Sequence, residues 1–92
     1  MSKYSVEIKE HAQHDLNMLR KNDPVSYKKA LALINELYEH PQTGTGKPEQ
    51  LKGCHGNVWS RRISKKHRLI YEIFETEVHV DVLTAYGHYG DK

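Results

Sequence analysis

The chain has 92 residues, of which 37% are apolar and 28% are charged, with a formal net charge of +2. These values predict one small domain and exclude disorder throughout, because enough apolar side chains are present to form a core. No apolar run approaches the ~18 residues of a membrane-spanning helix, and the N-terminus lacks the apolar stretch of a signal peptide. We therefore expect a cytoplasmic protein without membrane contact, a single domain over 1–92, and a flexible tail at 90–92.

The first half of the chain predicts one strand and two helices. Apolar and polar residues alternate over 4–9, as is typical of a half-buried strand. Apolar residues then recur at helical spacing over about 10–21 and, more clearly, over about 24–39. We expect Asp23 to cap the second helix, with Pro24 in its first turn, where a missing N–H group does no harm.

The second half predicts a loop followed by three strands. Glycine and proline are too dense over 41–57 for a long regular element. Strand-like patterns follow at Val58–Ile63, His67–Phe74 and Val78–Tyr86, with connections so short that neighbouring strands should be antiparallel. The predicted fold is α+β, with two N-terminal helices packed on a twisted antiparallel sheet in the order β-α-α-β-β-β.

Positive charge is concentrated in the middle of the chain. Residues 47–72 hold seven Lys and Arg against two Glu, whereas residues 1–46 are neutral and residues 73–92 are acidic. A one-sided positive field suits a polyanion such as nucleic acid. The alternative is the solvated tip of a hairpin.

Several other chemistries lack the residues that they need. His11 and His14 lie three residues apart, but no third metal ligand is near them in sequence. Cys54, the single cysteine, cannot form an intrachain disulfide, and no acid is evident to orient a Cys54–His55 couple. Residues 44–47 follow a helix rather than a strand, which is the wrong context for a phosphate-binding loop. We expect neither a metal nor a cofactor.

The remaining polar residues suit the cleavage of RNA by its own 2′-hydroxyl group. That reaction needs a base for the hydroxyl, an acid for the leaving 5′-oxygen and cations for the charge that develops on phosphorus. The candidates are Glu49 as the base, His88 as the acid, Arg68 with Arg62 or Lys52 as the cations, and Tyr89 as an aromatic that stacks on a base. The alternative is a set of solvated surface residues and a disordered tail.

Four segments together closely resemble the YoeB/Txe toxins of the RelE/ParE superfamily. They are Gly-Lys-Pro-Glu-x-Leu-Lys (46–52), Trp-Ser-Arg-Arg-Ile (59–63), His-Arg-Leu-Ile-Tyr (67–71) and His-Tyr (88–89). The resemblance covers nearly the whole chain and implies a RelE-like fold, similar to microbial ribonucleases. It also implies the toxin of a type II toxin–antitoxin system that inhibits translation. Such toxins are ribosome-dependent, metal-independent endoribonucleases that cut messenger RNA in the ribosomal A site.

Carried over residue by residue, the resemblance implies a role for each motif position. The general base falls on Glu49, the phosphate-binding arginines on Arg62 and Arg68, the general acid on His88, and the neighbouring tyrosine on Tyr89. The basic block would contact RNA backbone through Lys47, Lys52, Arg61, Lys65 and Lys66. Two features depart from the family pattern, namely three further residues after Tyr89, and Tyr86 where relatives often have a basic residue.

The resemblance also implies partners. They are a cognate antitoxin similar to YefM or Axe, the 70S ribosome with its messenger RNA, operator DNA contacted indirectly through the antitoxin, and a second copy of the chain in a homodimer.

Two alternative functions stay open. One is a non-catalytic RNA- or protein-binding module that uses the same basic sheet. The other is a gyrase-directed toxin of the same superfamily, which would not need the set Glu49, Arg68 and His88. Independently of these, Trp59 is predicted to face the helices as part of the core, with stacking on the substrate as the alternative.

Overall fold

Two helices cover one face of a five-stranded sheet in the computed structural model, which describes residues 3–53 and 55–87. The elements are β1 (Ser5–Ile8), α1 (Glu10–Asn22), α2 (Pro24–Leu37), β2 (Glu49–Gln50), β3 (Val58–Arg62), β4 (Arg68–Phe74) and β5 (His79–Thr84). A short 3-10 turn, Glu75–Glu77, joins the last two strands. The α+β class and the order of the six predicted elements are confirmed, with boundaries shifted by one or two residues and one additional short strand, β2.

The sheet has the order β1-β5-β4-β3-β2 and is mixed rather than wholly antiparallel. Strands β3, β4 and β5 pair with antiparallel neighbours as predicted. The prediction is wrong for β1, which pairs with β5 in parallel, with Ser5 opposite His79 and Ile8 opposite Val82. No hairpin links these two strands, because both helices and three strands lie between them in the chain, so their relative direction is not constrained by a turn. The predicted loop also contains the two-residue strand β2 at the opposite edge.

The boundary between the helices is fixed by the predicted cap. Asp23 Oδ1 accepts a hydrogen bond from the Ser26 amide at 3.2 Å, and Asp23 Oδ2 accepts one from the Ser26 hydroxyl at 2.7 Å. These bonds from Ser26 hold the pKa of the Asp23 carboxyl below its ordinary value. Pro24 is the first residue of α2, as predicted.

The core lies between the helices and the sheet face that they cover, called here the core face. It contains apolar residues from both helices and from the strands, namely Tyr4, Ala12, Leu16, Leu19, Ala30, Leu33, Ile34, Leu37, Ile63, Leu69, Tyr71, Ile73, Val80, Val82 and Ala85. Trp59 is half-buried and packs against this cluster, which agrees with its predicted core role. No helix among residues 3–53 and 55–87 is long and apolar enough to cross a membrane.

Candidate functional site

The candidate site lies on the other face of the sheet, called here the outer face. Antiparallel pairing sets Glu49 of β2 opposite Ser60 of β3, and Ser60 opposite Ile70 of β4. One step along β3 on the same face, Arg62 lies opposite Arg68. Directly opposite residues project from the same side of a sheet. The register therefore brings Glu49, Arg62 and Arg68, from three consecutive strands, onto one surface.

Arg62 and Arg68 place two positive charges next to each other on adjacent strands. Side chains directly opposite in an antiparallel pair have Cβ atoms about 4.5–5.5 Å apart, and like charges in that position repel each other. Arg62 is exposed and Arg68 is half-buried. An anion between the two guanidinium groups would relieve the repulsion, and a phosphate matches the fork geometry of arginine.

Arg68 is held in place by the turn before β4. Its Nη1 donates to the carbonyl oxygens of Ser64, at 2.6 Å, and His67, at 3.2 Å. Within the part of the chain that the structure describes, its Nε and Nη2 have no hydrogen-bond partner. Arg68 thus has one anchored nitrogen and two donors that are available to a ligand.

Glu49 is exposed on the edge strand next to the two arginines. It is one strand away from β3 and two residues, or about 7 Å, from the level of Arg62 along the strand direction. A carboxylate and two guanidinium groups on one surface supply a proton acceptor and positive charge for an anionic transition state.

The loop that leads to Glu49 is fixed by close packing at Gly46. The Arg62 amide donates to the Gly46 carbonyl at 2.7 Å. Gly46 has a φ of +87°, and a Cβ atom there would lie 3.1 Å from the Arg62 carbonyl oxygen and 3.2 Å from Leu33 Cδ2. The next residue, Lys47, also has a positive φ, of 53°. Glycine is favoured at position 46, both by its conformation and by the close approach.

Four lysines of the basic block remain exposed around this surface. Lys47 and Lys52 flank β2, and Lys65 and Lys66 lie in the turn between β3 and β4. Their positions fit the predicted contacts with an RNA backbone, which stay a prediction.

The predicted RNA contact of Arg61 is wrong. Arg61 is on the core face, and its side chain is fully buried. Its guanidinium donates to Glu36 Oε1 at 2.7 Å, to Tyr71 Oη at 3.1 Å, and to three carbonyl oxygens of the loop after α2, those of His40, Thr43 and Thr45. Strand alternation places adjacent residues on opposite faces, so only Arg62 can reach the outer face. The role of Arg61 is to hold the 40–45 loop against the sheet.

Several predicted positions lie outside the described residues. They are His88, Tyr89, the 90–92 tail and Cys54. The last described residue before His88 is Gly87, whose carbonyl accepts a hydrogen bond from the Arg68 amide at 2.9 Å. The backbone of Gly87, the residue directly before His88, is therefore hydrogen-bonded to the backbone of Arg68, one of the two candidate arginines.

Two buried polar residues near this segment were not singled out in the sequence. Asp15 is 6% exposed, and its Oδ2 accepts a hydrogen bond from the Ala85 amide at 3.0 Å. His67 is also 6% exposed, and its Nδ1 accepts one from the Gly87 amide at 2.9 Å. A signal for Asp15 was available, because a charged residue stands there within the apolar stripe of α1. The signal for His67 was its place directly before Arg68.

A group of three possible metal ligands lies at the opposite edge of the outer face. Among the described residues, Glu7, His79 and Asp81 have ligand atoms within 4.8 Å of one another. These groups already bind each other and their neighbours. His79 Nδ1 lies 2.6 Å from Ser5 Oγ, His79 Nε2 lies 2.8 Å from Asp81 Oδ1, and Glu7 forms an ion pair with Lys9 at 3.1 Å. We assign no ion to them.

Known proteins resemble this chain in sequence and in fold. A toxin named YoeB from Streptomyces coelicolor is 35% identical over 79 residues, which cover 86% of this chain and 92% of that toxin. The YoeB toxin of Escherichia coli K12 is 38% identical over 64 residues, covering 70% and 76% of the two chains. Among solved structures, a YoeB/ParE toxin from Agrobacterium tumefaciens has a TM-score of 0.83 at 29% identity, covering 92% of this chain and 99% of that one.

A Staphylococcus aureus YoeB toxin has been solved both as a dimer and in a heterotetrameric complex with the antitoxin YefM. The dimer structure has a TM-score of 0.80 to this chain, and the complex has one of 0.76, each at 28% identity and covering 96% of this chain and 100% of the toxin. The family model described as "YoeB-like toxin of bacterial type II toxin-antitoxin system" matches residues 8–89. The chain therefore belongs to the YoeB-like toxins of bacterial type II toxin–antitoxin systems.

Proposed function

We propose that this toxin is a ribosome-dependent endoribonuclease that cuts messenger RNA in the ribosomal A site and so inhibits translation. The observation that supports the proposal best is the shared outer-face position of Glu49, Arg62 and Arg68, which the strand register produces. The four exposed lysines around them add the positive field that an RNA backbone favours.

In the proposed reaction, Glu49 takes the proton of a ribose 2′-hydroxyl group. The 2′-oxygen forms a bond to the adjacent phosphorus while the bond from phosphorus to the 5′-oxygen breaks. His88 gives a proton to that 5′-oxygen. The products are a 2′,3′-cyclic phosphate and a 5′-hydroxyl end, so the protons balance and the reaction requires no metal.

Arg62 and Arg68 act on the phosphate in this scheme. Their positive charges stabilise the additional negative charge on the phosphoryl oxygens in the transition state. Tyr89 stacks on a base that is turned out of the RNA strand. The ribosome holds the messenger in a reactive geometry, and we therefore expect cleavage to be much faster on ribosomes than on free RNA.

The partners follow from the relatives. We propose that an antitoxin similar to YefM neutralises this toxin, that the toxin forms a homodimer, and that operator DNA is contacted indirectly through the antitoxin. A cytoplasmic location belongs to the same proposal, since ribosomes and the antitoxin are both found there.

The test is messenger cleavage in a purified bacterial translation system, read by primer extension. The wild-type toxin is compared with Glu49→Gln and His88→Ala, and Glu77→Gln serves as a matched control that removes an exposed carboxylate elsewhere. We expect cuts at the A-site codon that weaken roughly 100-fold or more in the first two variants and persist in the control.

Two other outcomes would favour the alternatives. No cleavage by folded wild-type toxin, with RNA binding that depends on Arg62 and Arg68, would favour a non-catalytic binding module. Loss of gyrase supercoiling in the presence of the toxin would favour the gyrase-directed alternative. Cuts that persist in both site variants would keep the nuclease but reassign its acid and base.

A further inference from the structure

The segment that leads into His88 is held by three hydrogen bonds from other parts of the fold. The Ala85 amide donates to Asp15 Oδ2 on α1 at 3.0 Å. The Gly87 amide donates to His67 Nδ1 at 2.9 Å, and the Gly87 carbonyl accepts from the Arg68 amide at 2.9 Å. Both polar groups of the Gly87 backbone are therefore bound to the two consecutive residues at the start of β4.

The imidazole of His67 is itself fixed in position. It is buried, and its ring packs against the ring of Tyr86 with a centroid distance of 4.5 Å and an interplanar angle of 42°. Its backbone amide donates to the Ser64 hydroxyl, and its carbonyl accepts from the Ile63 amide at 3.0 Å. Because Nδ1 is an acceptor, the proton of the neutral ring is on Nε2. A buried ring in one orientation and one tautomer is a rigid acceptor for the Gly87 amide.

Gly87 needs such an acceptor because glycine can adopt many backbone conformations. Its φ is +80°, in the left-handed region, and among the described residues, its chain neighbours apart, no atom lies within 4 Å of the position that a Cβ would occupy. Neighbouring atoms therefore do not select this conformation, and a glycine without further constraint would sample several others. The hydrogen bonds of the Gly87 N–H and carbonyl groups select one conformation of Gly87.

We infer that His67 is a positioning residue for the C-terminal acid of the site. Its Nδ1 accepts the N–H of the Tyr86–Gly87 peptide and so restrains the backbone directly before His88. This inference rests on the proposed function for its consequence in catalysis. Its structural part, the hold of His67 on Gly87, stands independently. His67 does not contact the RNA in this scheme.

Three variants separate the acceptor atom from the ring. His67→Asn keeps a side-chain oxygen at the position of Nδ1, one bond beyond Cγ. His67→Leu keeps a similar branch at Cγ but has no acceptor. His67→Gln has its oxygen one bond farther out and serves as a control for polarity without the correct reach.

The first measurement is hydrogen exchange at the Gly87 amide in the full-length toxin, followed by NMR. We expect exchange to be about 3- to 10-fold faster in His67→Leu and His67→Gln than in wild type, and close to wild type in His67→Asn. In the wild-type chain, we also expect a scalar coupling between the Gly87 amide nitrogen and His67 Nδ1 across the hydrogen bond. This measurement needs no variant. Absence of that coupling together with unchanged exchange in His67→Leu would overturn the inference.

The second measurement is ribosomal messenger cleavage by the same variants. We expect kcat to fall on the order of 10- to 100-fold in His67→Leu with little change in KM, and to recover in His67→Asn. A His67→Asn variant that restores Gly87 protection but not cleavage would refute the positioning role. If the wild-type toxin itself does not cleave, the proposed function fails, while the exchange rates still decide whether His67 holds Gly87.

Discussion

The guanidinium of Arg61 lies 2.7 Å from the carboxylate of Glu36, in an ion pair whose arginine has no solvent exposure. The pair connects the end of α2 to the middle of β3, and the same guanidinium binds the carbonyl oxygens of the intervening loop. Arg62, the next residue, belongs to the candidate site. Two adjacent arginines therefore serve different purposes, one in stability and one in the proposed chemistry.

This division predicts opposite phenotypes for the same substitution at neighbouring positions. Arg61→Met removes the guanidinium donors of a half-buried carboxylate and of three carbonyl groups, and we expect the free energy of unfolding to fall by about 3 kcal/mol. Arg62→Met should change it by less than about 0.5 kcal/mol but reduce messenger cleavage at least roughly 10-fold. Urea unfolding and the ribosomal cleavage assay measure the two effects. Equal stabilities for the two variants would contradict the buried role of Arg61.

The same ion pair predicts a dependence of stability on pH. Burial raises the pKa of Glu36, but hydrogen bonds from Thr45 and Arg61 outweigh it, so the pKa lies below its ordinary value of 4.5. A lowered folded-state pKa adds stability that is fully present above the unfolded-state pKa and is lost as pH falls through the folded-state pKa. Below about pH 5, the free energy of unfolding should therefore decline.

Glu36→Gln tests this pH dependence, and Glu39→Gln is the matched control. We expect Glu36→Gln to be less stable than wild type at pH 7, and the difference to shrink as pH falls below 4.5, because the wild-type carboxyl becomes neutral as well. Glu39→Gln should follow the wild-type curve. Urea unfolding at several pH values measures all three chains, and a difference that stays constant down to pH 3 would argue against a lowered pKa.

The loop before Glu49 predicts unequal effects of alanine at two glycines. Gly46 and Gly53 have similar φ values, +87° and +82°, so alanine at either position meets a left-handed strain of about 1–2 kcal/mol. A Cβ at Gly46 would also lie 3.1 Å from the Arg62 carbonyl oxygen, whereas one at Gly53 would have no atom of the described residues within 4 Å, its chain neighbours apart. We expect Gly46→Ala to be less stable than Gly53→Ala by at least about 1 kcal/mol. Thermal unfolding of the two variants decides this, and similar melting temperatures would show that the loop yields at Gly46.

Trp59 is expected to contribute to stability rather than to RNA binding. Its ring packs against the core, and its Nε1 donates to Asn57 Oδ1 at 2.8 Å. Trp59→Ala should lower the free energy of unfolding by about 3 kcal/mol, whereas Trp59→Phe should lower it by about 1 kcal/mol through the lost hydrogen bond. Chemical unfolding measures both. A Trp59→Ala variant that unfolds like wild type but no longer binds RNA would reverse this assignment.

The local elements of this protein could largely be predicted from its sequence. The helices over 10–22 and 24–37, the cap at Asp23 and the three antiparallel strands follow from periodicity and turn residues, which act between near neighbours in the chain. Strand alternation also requires Arg61 and Arg62 to lie on opposite faces of the sheet, but it does not show which of them is buried. The motifs around Glu49, Arg62 and Arg68 carried the family resemblance that the comparisons confirmed.

The way in which these elements pack together became clear from the three-dimensional fold. Which arginine is buried, the parallel pairing of β1 with β5, and the hydrogen bonds from Asp15 to Ala85 and from His67 to Gly87 all join residues far apart in sequence. Such contacts form between polar groups that still need a hydrogen-bond partner once the core has packed. The periodicity of the sequence does not show which of these groups lie near each other in space. Local periodicity therefore predicts what each segment becomes, and long-range pairing of buried polar groups determines where the site residues lie.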